Sequence, residues 1–561
     1  MRRLVFLPIL ILAGALVAAG SPDHSNNAIS PSLRSLASSG RSELVDVIIT
    51  FNTPPGQTDR QRIGALGGST VREFERLPMR AARMPAHALE ALSRNPRVSF
   101  ISRDAPVQAF SVSTRQTANL PNDQNVDFSI VSSGIGVAVL DSGVGNHTDL
   151  WPSPVQYDFV GQSSSPTYGL FDIHGHGTHV AGVIGSDGYG SSATYRGVAP
   201  YSDIVSLRVL NGQGQGSTSD VIAALDWLLV HGAEYNVRVA NLSLGKAVEE
   251  PAADDPLVAA VEAVWDAGIT VVCSAGNHGR DGYFTITSPG NSRKVITVGS
   301  LTDNQTGAAF DDDYVSTYSS RGPTLYDHIV KPDLIAPGNR FVSPVSYEAQ
   351  MRTDLADRMV DCGQSSCSGY YLELSGTSMA AAMVSGTAAL MLEDDPTLDP
   401  DTIKARLMRS AKKVDMGEPF STGAGLLDIA AALQEDGHVT SAPSPRAFRD
   451  ESTGQMGFEN TGVLWGDPAF SQAYIWSDAL IWGDAIIWGD AIIWGDAFIW
   501  SDGLIWGDAL IWGDALIWGD ALIWGDALIW GDAVIWGDSV VQGDTDPLYE
   551  TASQGMQIND D

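Results

Sequence analysis

Cysteine is scarce in this chain, three in 561 residues, so no disulfide framework holds it together. Cys362 and Cys367 bracket a short loop rich in Gly and Ser and are spaced to pair in an oxidising compartment, whereas Cys273 sits in an apolar run where an inert buried thiol is expected. Basic residues are scarce too. The 33 Lys and Arg face 67 Asp and Glu, and the formal charge of -34 argues against nucleic acid as a partner. Long apolar runs are missing after the first twenty residues, so no later segment is expected to span a bilayer. The one early run, Leu4 to Ala19, follows Arg2 and Arg3, is interrupted by Pro8, and ends in Ala18, Ala19 and Gly20. It falls short of the ~20 residues a span needs and reads as a secretory signal peptide cut near Ala19 or Gly20. The mature protein is therefore expected outside the cell.

What is present divides the chain into blocks, as its length requires. Residues 1–20 are the signal and 21–42, rich in Ser, Asn and Pro, read as a linker. Over 43–110, LVDVIITF alternates as a strand, TDRQRIGAL has helical spacing, STVREFE and MRAARM are short strands, AHALEALSR is a helix and RVSFIS a last strand. That order, β-α-β-β-α-β, predicts a small ferredoxin-like α+β domain. Over 111–437 the apolar runs GVAVLD, DIVSLRVL, VRVANLSL, GITVVCSA and KVITVGS alternate with helical segments such as SDVIAALDWLLV and TSMAAAMVSGTAALMLE. Strands apolar on both faces, alternating with helices, predict an α/β domain with a parallel sheet covered on both sides, and ligands beyond the carboxyl ends of its strands.

Residues 438–464 read as a second linker, 465–544 as an acidic repeat and 545–561 as a tail. The repeat unit, IWGDAL with small variations, recurs eleven times and puts Trp at every sixth position from 476 to 536. A helix would turn successive Trp by about 600° and pay ~1 kcal/mol per Gly. A strand keeps Trp, Asp and Leu on one face in every copy, so a β-solenoid or stacked hairpins are expected. One Asp per unit would build charged ladders, from which tightening by divalent cations and attachment to a surface or matrix are expected.

Three segments carry chemistry. GVAVLDSG puts Asp141 at a strand end, HGHGTHVAG puts His176 at a helix opening, and LSGTSMA puts Ser378 at another. A serine hydroxyl needs an imidazole to take its proton, and the imidazole needs a carboxylate to fix its tautomer. His174, His176 and His179 as a metal cluster would lack a carboxylate partner at that spacing. The order Asp, His, Ser separates this chain from the chymotrypsin-like and α/β-hydrolase orders.

With VAVLDSGV, HGTHVAG, VSLRVLNGQGQGS, NLSLG, SAGN, KPDLIAPG and SGTSMAA in this order, residues 44 to 437 resemble the subtilases, closest to the subtilisin and proteinase K branches. The resemblance implies a secreted serine endopeptidase made as a zymogen, with residues 43–110 as its inhibitory prodomain and protein or peptide chains as substrates. It makes Asp141 the orienting carboxylate, His176 the acid and base, Ser378 the nucleophile and Asn277 of SAGN an oxyanion donor beside the Ser378 backbone N–H. His179 matches a structural position. Gly214, Gln215 and Gly216, with Ser243, Leu244 and Gly245, match segments that hold substrate as an added strand. The prodomain is expected to be cut after Phe110, or a few residues on near Thr114 or Arg115. No cofactor is implied for the chemistry; structural calcium is common in the family, and no motif here identifies its ligands. Ala382 and Met383 depart from the family's Pro and His after the serine, which implies a slower rate or more aminolysis of the acyl-enzyme. Two rival functions are an adhesive repeat protein whose protease mainly processes itself, and an acyl transferase favoured by Ala382.

Overall fold

The computed structural model describes residues 28–39, 42–109, 134–150, 154–162, 165–166, 171–303, 313–361, 369–413, 419–449, 456–458 and 464–465, with the backbone of six short strands between 487 and 530. The first twenty residues, read above as a signal, Phe110, Cys362, Cys367 and most of the repeat lie outside these residues.

The amino-terminal unit comprises α1 (Pro31–Ser38), β1 (Leu44–Phe51), α2 (Gln57–Ala65), β2 (Ser69–Glu73), β3 (Met79–Pro85), α3 (Leu89–Ser93) and β4 (Val98–Arg103). Its antiparallel sheet runs β2-β3-β1-β4, the strand order of the split β-α-β topology read from the sequence. The alternation in β1 explains its two faces. Val47, Ile49 and Phe51 join Ile63, Leu89 and Leu92 under the helices, while Ile48 joins Leu77, Met79 and Ala81 in the core shared with the larger unit. The 21–42 segment is more than a linker. Ile29 bridges Ile101 in parallel, α1 starts on Pro31, and Leu33 and Ala37 are buried in the unit's core.

A short strand, β5 (Pro106–Ala109), leads toward the larger unit. There β6 (Gly136–Asp141), β7 (Val155–Asp158), β8 (Ser165–Pro166), β9 (Asp203–Arg208), β11 (Val237–Leu242), β13 (Thr270–Ser274), β14 (Ile296–Thr302), β15 (Tyr314–Val315) and β16 (Leu334–Pro337) form one sheet. Its interior ladders are all parallel, and β8 and β15 pair antiparallel at the margins. All six residues of β6 are buried, as the unbroken apolar run requires. Helices α4 (His176–Gly185), α5 (Thr218–His231), α6 (Pro256–Asp266), α8 (Thr377–Asp394) and α9 (Pro400–Ser410) accompany the sheet, and α8 packs on β11, β13, β14 and on α4. Between them α7 (Met351–Asp354) and the strands β17 (Phe341–Pro344), β18 (Met359–Val360) and β19 (Tyr371–Leu374) form a small antiparallel layer.

The 438–464 segment also departs from the linker reading. Val330 N–H reaches Pro445 O, and the Ser444 hydroxyl enters the buried Lys331, Asp333 and Lys404 cluster, 2.5 Å from Asp333 and 2.7 Å from Lys404 Nζ. The described repeat strands stack in parallel at an 18-residue offset, with Ile487 beside Ile505 and Ala491 beside Ala509.

Candidate active site

The sheet brings the sequence-predicted residues to its carboxyl edge. Asp141 ends β6, His176 opens α4 and Ser378 is the second residue of α8, and all three are buried. His176 Nδ1 lies 2.8 and 2.9 Å from the two Asp141 oxygens. A carboxylate only accepts, so Nδ1 carries the proton and Nε2 is left as the basic nitrogen. The Ser142 N–H also donates to Asp141, at 2.7 Å.

Local backbone explains how α4 comes so close to β6. Gly175 has φ +107°, a region glycine enters without Cβ strain. A Cβ on Gly177 would stand 2.1 Å from Gly143 O and 3.1 Å from Asp141 Cβ, so the first turn needs glycine there. The orphan N–H groups of that turn find Asp172, fully buried, which accepts from Gly175 N–H at 2.8 Å, Thr178 N–H at 2.9 Å, Thr178 Oγ at 2.7 Å and Ser142 Oγ at 2.9 Å. Sequence reasoning passed over this residue. An Asp just ahead of a helix start is a capping signal that would have found it.

His179 stands apart from this chemistry. Its Nε2 donates toward Phe341 O at 3.1 Å and Leu372 O at 3.0 Å, and full burial holds its pKa down to about 3, with His176 adding to the effect. The ring is neutral and ties α4 to β17 and β19. His174 is lowered too, by burial and then by His176, whose ring centre is 6.2 Å away. Among the described residues no group of three or more His, Cys, Asp or Glu is placed to hold a metal ion. Burial pushes the Cys273 thiol up to about 12, consistent with inertness.

Ser378 Oγ donates to Ser243 O at 3.2 Å, and Ser243 Oγ donates to Ser378 O at 3.0 Å, which pins the turn between β11 and β12 (Leu244–Gly245) to the start of α8. Asn277 Oδ1 accepts from Thr377 N–H at 3.0 Å and Thr377 Oγ at 2.9 Å. That fixes the amide so that Nδ2 is buried with no hydrogen-bond partner. A buried N–H of this kind costs ~1–3 kcal/mol and can donate to a negative charge that develops beside it. Ala382 and Met383 are buried inside α8, which runs unbroken from Thr377 to Asp394.

The remaining predicted residues line a slot that is filled. β5 lies between β10 (Gln215–Ser217) and β12 as the middle strand of three, antiparallel to both. Gln108 sits opposite Gln215 and Gly245, Val107 opposite Gly216, and Ala109 N–H donates to Gly214 O at 3.1 Å. A cavity of about 600 Å³ opens beside this strand, walled by Gln108, Gly245, Lys246, Phe284, Ile286 and Thr287. Behind β5 the amino-terminal unit is held by polar contacts. Asp226 of α5 accepts the backbone N–H groups of Glu75, Arg76 and Leu77 at 2.5, 2.7 and 2.9 Å. Arg72 pairs with Asp220 at 2.7 Å, and Asp104 takes the N–H and hydroxyl of Ser219 at the start of α5.

Comparison with known proteins matches residues 132–425 to the model of the subtilase family. Serine protease AprX of Bacillus subtilis is 36% identical over 351 residues, covering 61% of this chain and 75% of that protein. The thermostable alkaline protease of Halalkalibacterium halodurans is 30% identical, covering 65% and 85%, and subtilisin DY of Bacillus licheniformis is 32% identical, covering 54% and 92%. Among solved structures, fervidolysin from Fervidobacterium pennivorans superposes with a TM-score of 0.56 at 22% identity, covering 71% of this chain. The chain spans 62% of fervidolysin's length.

Proposed function

Because the chain belongs to the subtilase family of serine endopeptidases, we propose that it is exported as a zymogen and cleaves polypeptides through an acyl-enzyme on Ser378. His176 Nε2 takes the hydroxyl proton as Ser378 Oγ attacks the scissile carbonyl, Asp141 holds the Nδ1–H and the imidazolium that forms, and His176 returns the proton to the leaving amine. Asn277 Nδ2 and the Ser378 backbone N–H receive the oxyanion. The chemistry asks for no cofactor. Residues 214–216 and 243–245 take the substrate backbone as a third strand, which grips any extended chain and leaves selectivity to side-chain pockets.

The observation that carries this reading is β5. A segment of the chain's own sequence lies in the slot in substrate-like register, antiparallel on both sides, and stops one residue short of Phe110. Residues 43–110 then act as an intramolecular inhibitor that remains seated after its own cleavage. Export is supported by the basic and apolar start of the chain and by relatives named as extracellular proteases, such as the extracellular serine proteinase of Thermus sp.. Purifying the protein from culture medium, determining its amino terminus and assaying casein with and without a serine-directed inhibitor tests the whole. A mature terminus near residue 21, or casein hydrolysis indifferent to the inhibitor, would refute it.

A further inference from the structure

One buried ionic cluster lies under the amino-terminal unit and takes no part in catalysis. Lys246, next after the substrate-flanking Gly245, is 4% exposed and faces two carboxylates: Asp255 at 2.9 Å and Glu250 at 3.6 Å, themselves 0% and 1% exposed. Asp255 is the better matched, since its other oxygen caps α6 through Leu257 N–H at 2.8 Å. One ammonium cannot neutralise two carboxylates, so an ionised Glu250 would be a surplus buried charge, which is costly.

Glu250 is roofed by the amino-terminal unit. Arg103 of β4 stands 3.9 Å from the neighbouring Glu249, and the buried Ser102 beside it bears on the Glu250 carboxyl. Arg34 of α1 acts on Asp254 from the same side. Departure of residues 28–109 would take Ser102, Arg103 and Arg34 away and let water reach the cluster.

We propose that Glu250 is a proton-operated latch, resting on the reading of residues 43–110 as an inhibitor: the neutral carboxyl keeps that unit seated over the cleft and its ionisation lets the unit go. Burial pushes the Glu250 carboxyl up to about 7; Lys246 opposes this, and Asp255 and Glu249 add to it. An exposed glutamate titrates near its ordinary 4.5. The seated state thus binds the proton more tightly than the open one. The hold is complete below about pH 4.5, weakens about tenfold per pH unit, and levels off once pH passes about 7. An acidic environment keeps the zymogen latent, and transfer to a neutral or alkaline one opens it.

The test uses the full chain after self-cleavage, wild type and Glu250→Gln, held between pH 5 and 8.5 with a serine-directed fluorescent phosphonate that labels Ser378 only when the cleft is open. Comparing the two proteins at each pH cancels the pH dependence of the labelling reaction itself. Labelling within about fivefold at pH 5, with wild type becoming faster above pH 7 by on the order of 100-fold, is expected, since Gln imitates the neutral acid. A wild-type to variant ratio constant across pH overturns the latch. Should Glu250→Gln fail to fold, size-exclusion chromatography of the wild type decides: the cleaved fragment must co-elute at pH 5 and separate by pH 8, and co-elution that does not change overturns the proposal. Glu249→Gln is expected to keep a pH-dependent profile whose rise levels off at lower pH, since Glu249 adds to the push on Glu250. A chain never cut near Phe110, or labelled at full rate with the fragment still bound, overturns the zymogen reading and the latch together; a cut and inhibitory fragment whose hold ignores pH overturns the latch alone.

Discussion

The parallel sheet and the amino-terminal unit are joined by a different kind of contact from the one that holds each together. Inside the sheet, β6, β11 and β13 are buried on both faces by Val, Ile, Leu and Ala, and removing one strand would expose a core. Between the units, carboxylates meet backbone N–H groups and helix starts: Asp226 on residues 75–77, Asp104 on Ser219, Asp220 on Arg72. Apolar contact adds to it through Ile48, Leu77 and Val107. Hydrogen bonds exchanged with water contribute little net free energy each, so such a joint can part without either side unfolding. A core cannot. A joint of this kind lets one unit leave while the other keeps its core, as the proposed zymogen requires.

The sharpest way to break that comparison is to stop the cut. Ser378→Ala should lower hydrolysis by on the order of 10⁶, as for subtilisin, because nucleophile and base act as a unit. It should also leave the chain whole, with residues 28–109 still attached on a denaturing gel. Cleavage near Phe110 in this variant would mean that another protease makes the cut. Asn277→Ala comes next, with kcat down ~100-fold or more and KM little changed, since its Nδ2 waits for charge that only the transition state carries. Parallel loss in KM would point to a role in ground-state binding instead.

Asp226→Ala addresses the joint itself. It strands three N–H groups, each costing roughly 1–3 kcal/mol if left unsatisfied, less where water enters. The inhibitory hold of the amino-terminal unit should weaken by on the order of 10- to 100-fold, while the mature enzyme hydrolyses a peptide substrate within about twofold of wild type. Equal losses in both assays would show that Asp226 supports the catalytic sheet after all. The sheet has its own pH signature. His179 is held neutral with its pKa down at about 3, far below the 6.5 of an unfolded histidine, so its contribution is present above pH 6.5 and is lost as pH falls toward 3. The denaturant midpoint of the Ser378→Ala chain should drop over that range, and His179→Asn should flatten the slope while lowering the midpoint at neutral pH.

What could be read from the sequence follows the same division. Asp141, His176 and Ser378 were legible because their chemistry admits few residue types and the parallel fold puts each at a strand end or helix start. The joint was not, since Asp226 lies 149 residues from Leu77 and nothing local marks it as a partner. Composition misled in two places. Ser- and Pro-rich segments at 21–42 and 438–464 read as linkers, yet Ile29, Leu33 and Ala37 follow a buried stripe and Ser444 satisfies an ion cluster far away in sequence. Asp172 is legible only as a cap: its carboxylate serves the N–H groups at the start of α4 and carries no motif of its own.

The smallest expected effect comes from the repeat. The subtilase match ends at residue 425, so deleting 475–540 should leave kcat/KM for casein within about twofold. The 18-residue offset between paired strands spans three six-residue units, the spacing expected if one unit is a side and three make a coil. The described strands pair position for position across that offset, as Trp494 with Trp512 and Trp512 with Trp530. A solenoid of this kind is additive in coils. Removing 18 residues should reduce the far-ultraviolet β signal of the full chain by about one coil's share and leave the remainder cooperative, whereas removing three residues should break the register at that point and cost more signal than its length accounts for. If the two deletions lose signal only in proportion to length, the strands are not stacked in coils of three, and if casein hydrolysis falls tenfold with either, the repeat is no bystander to catalysis.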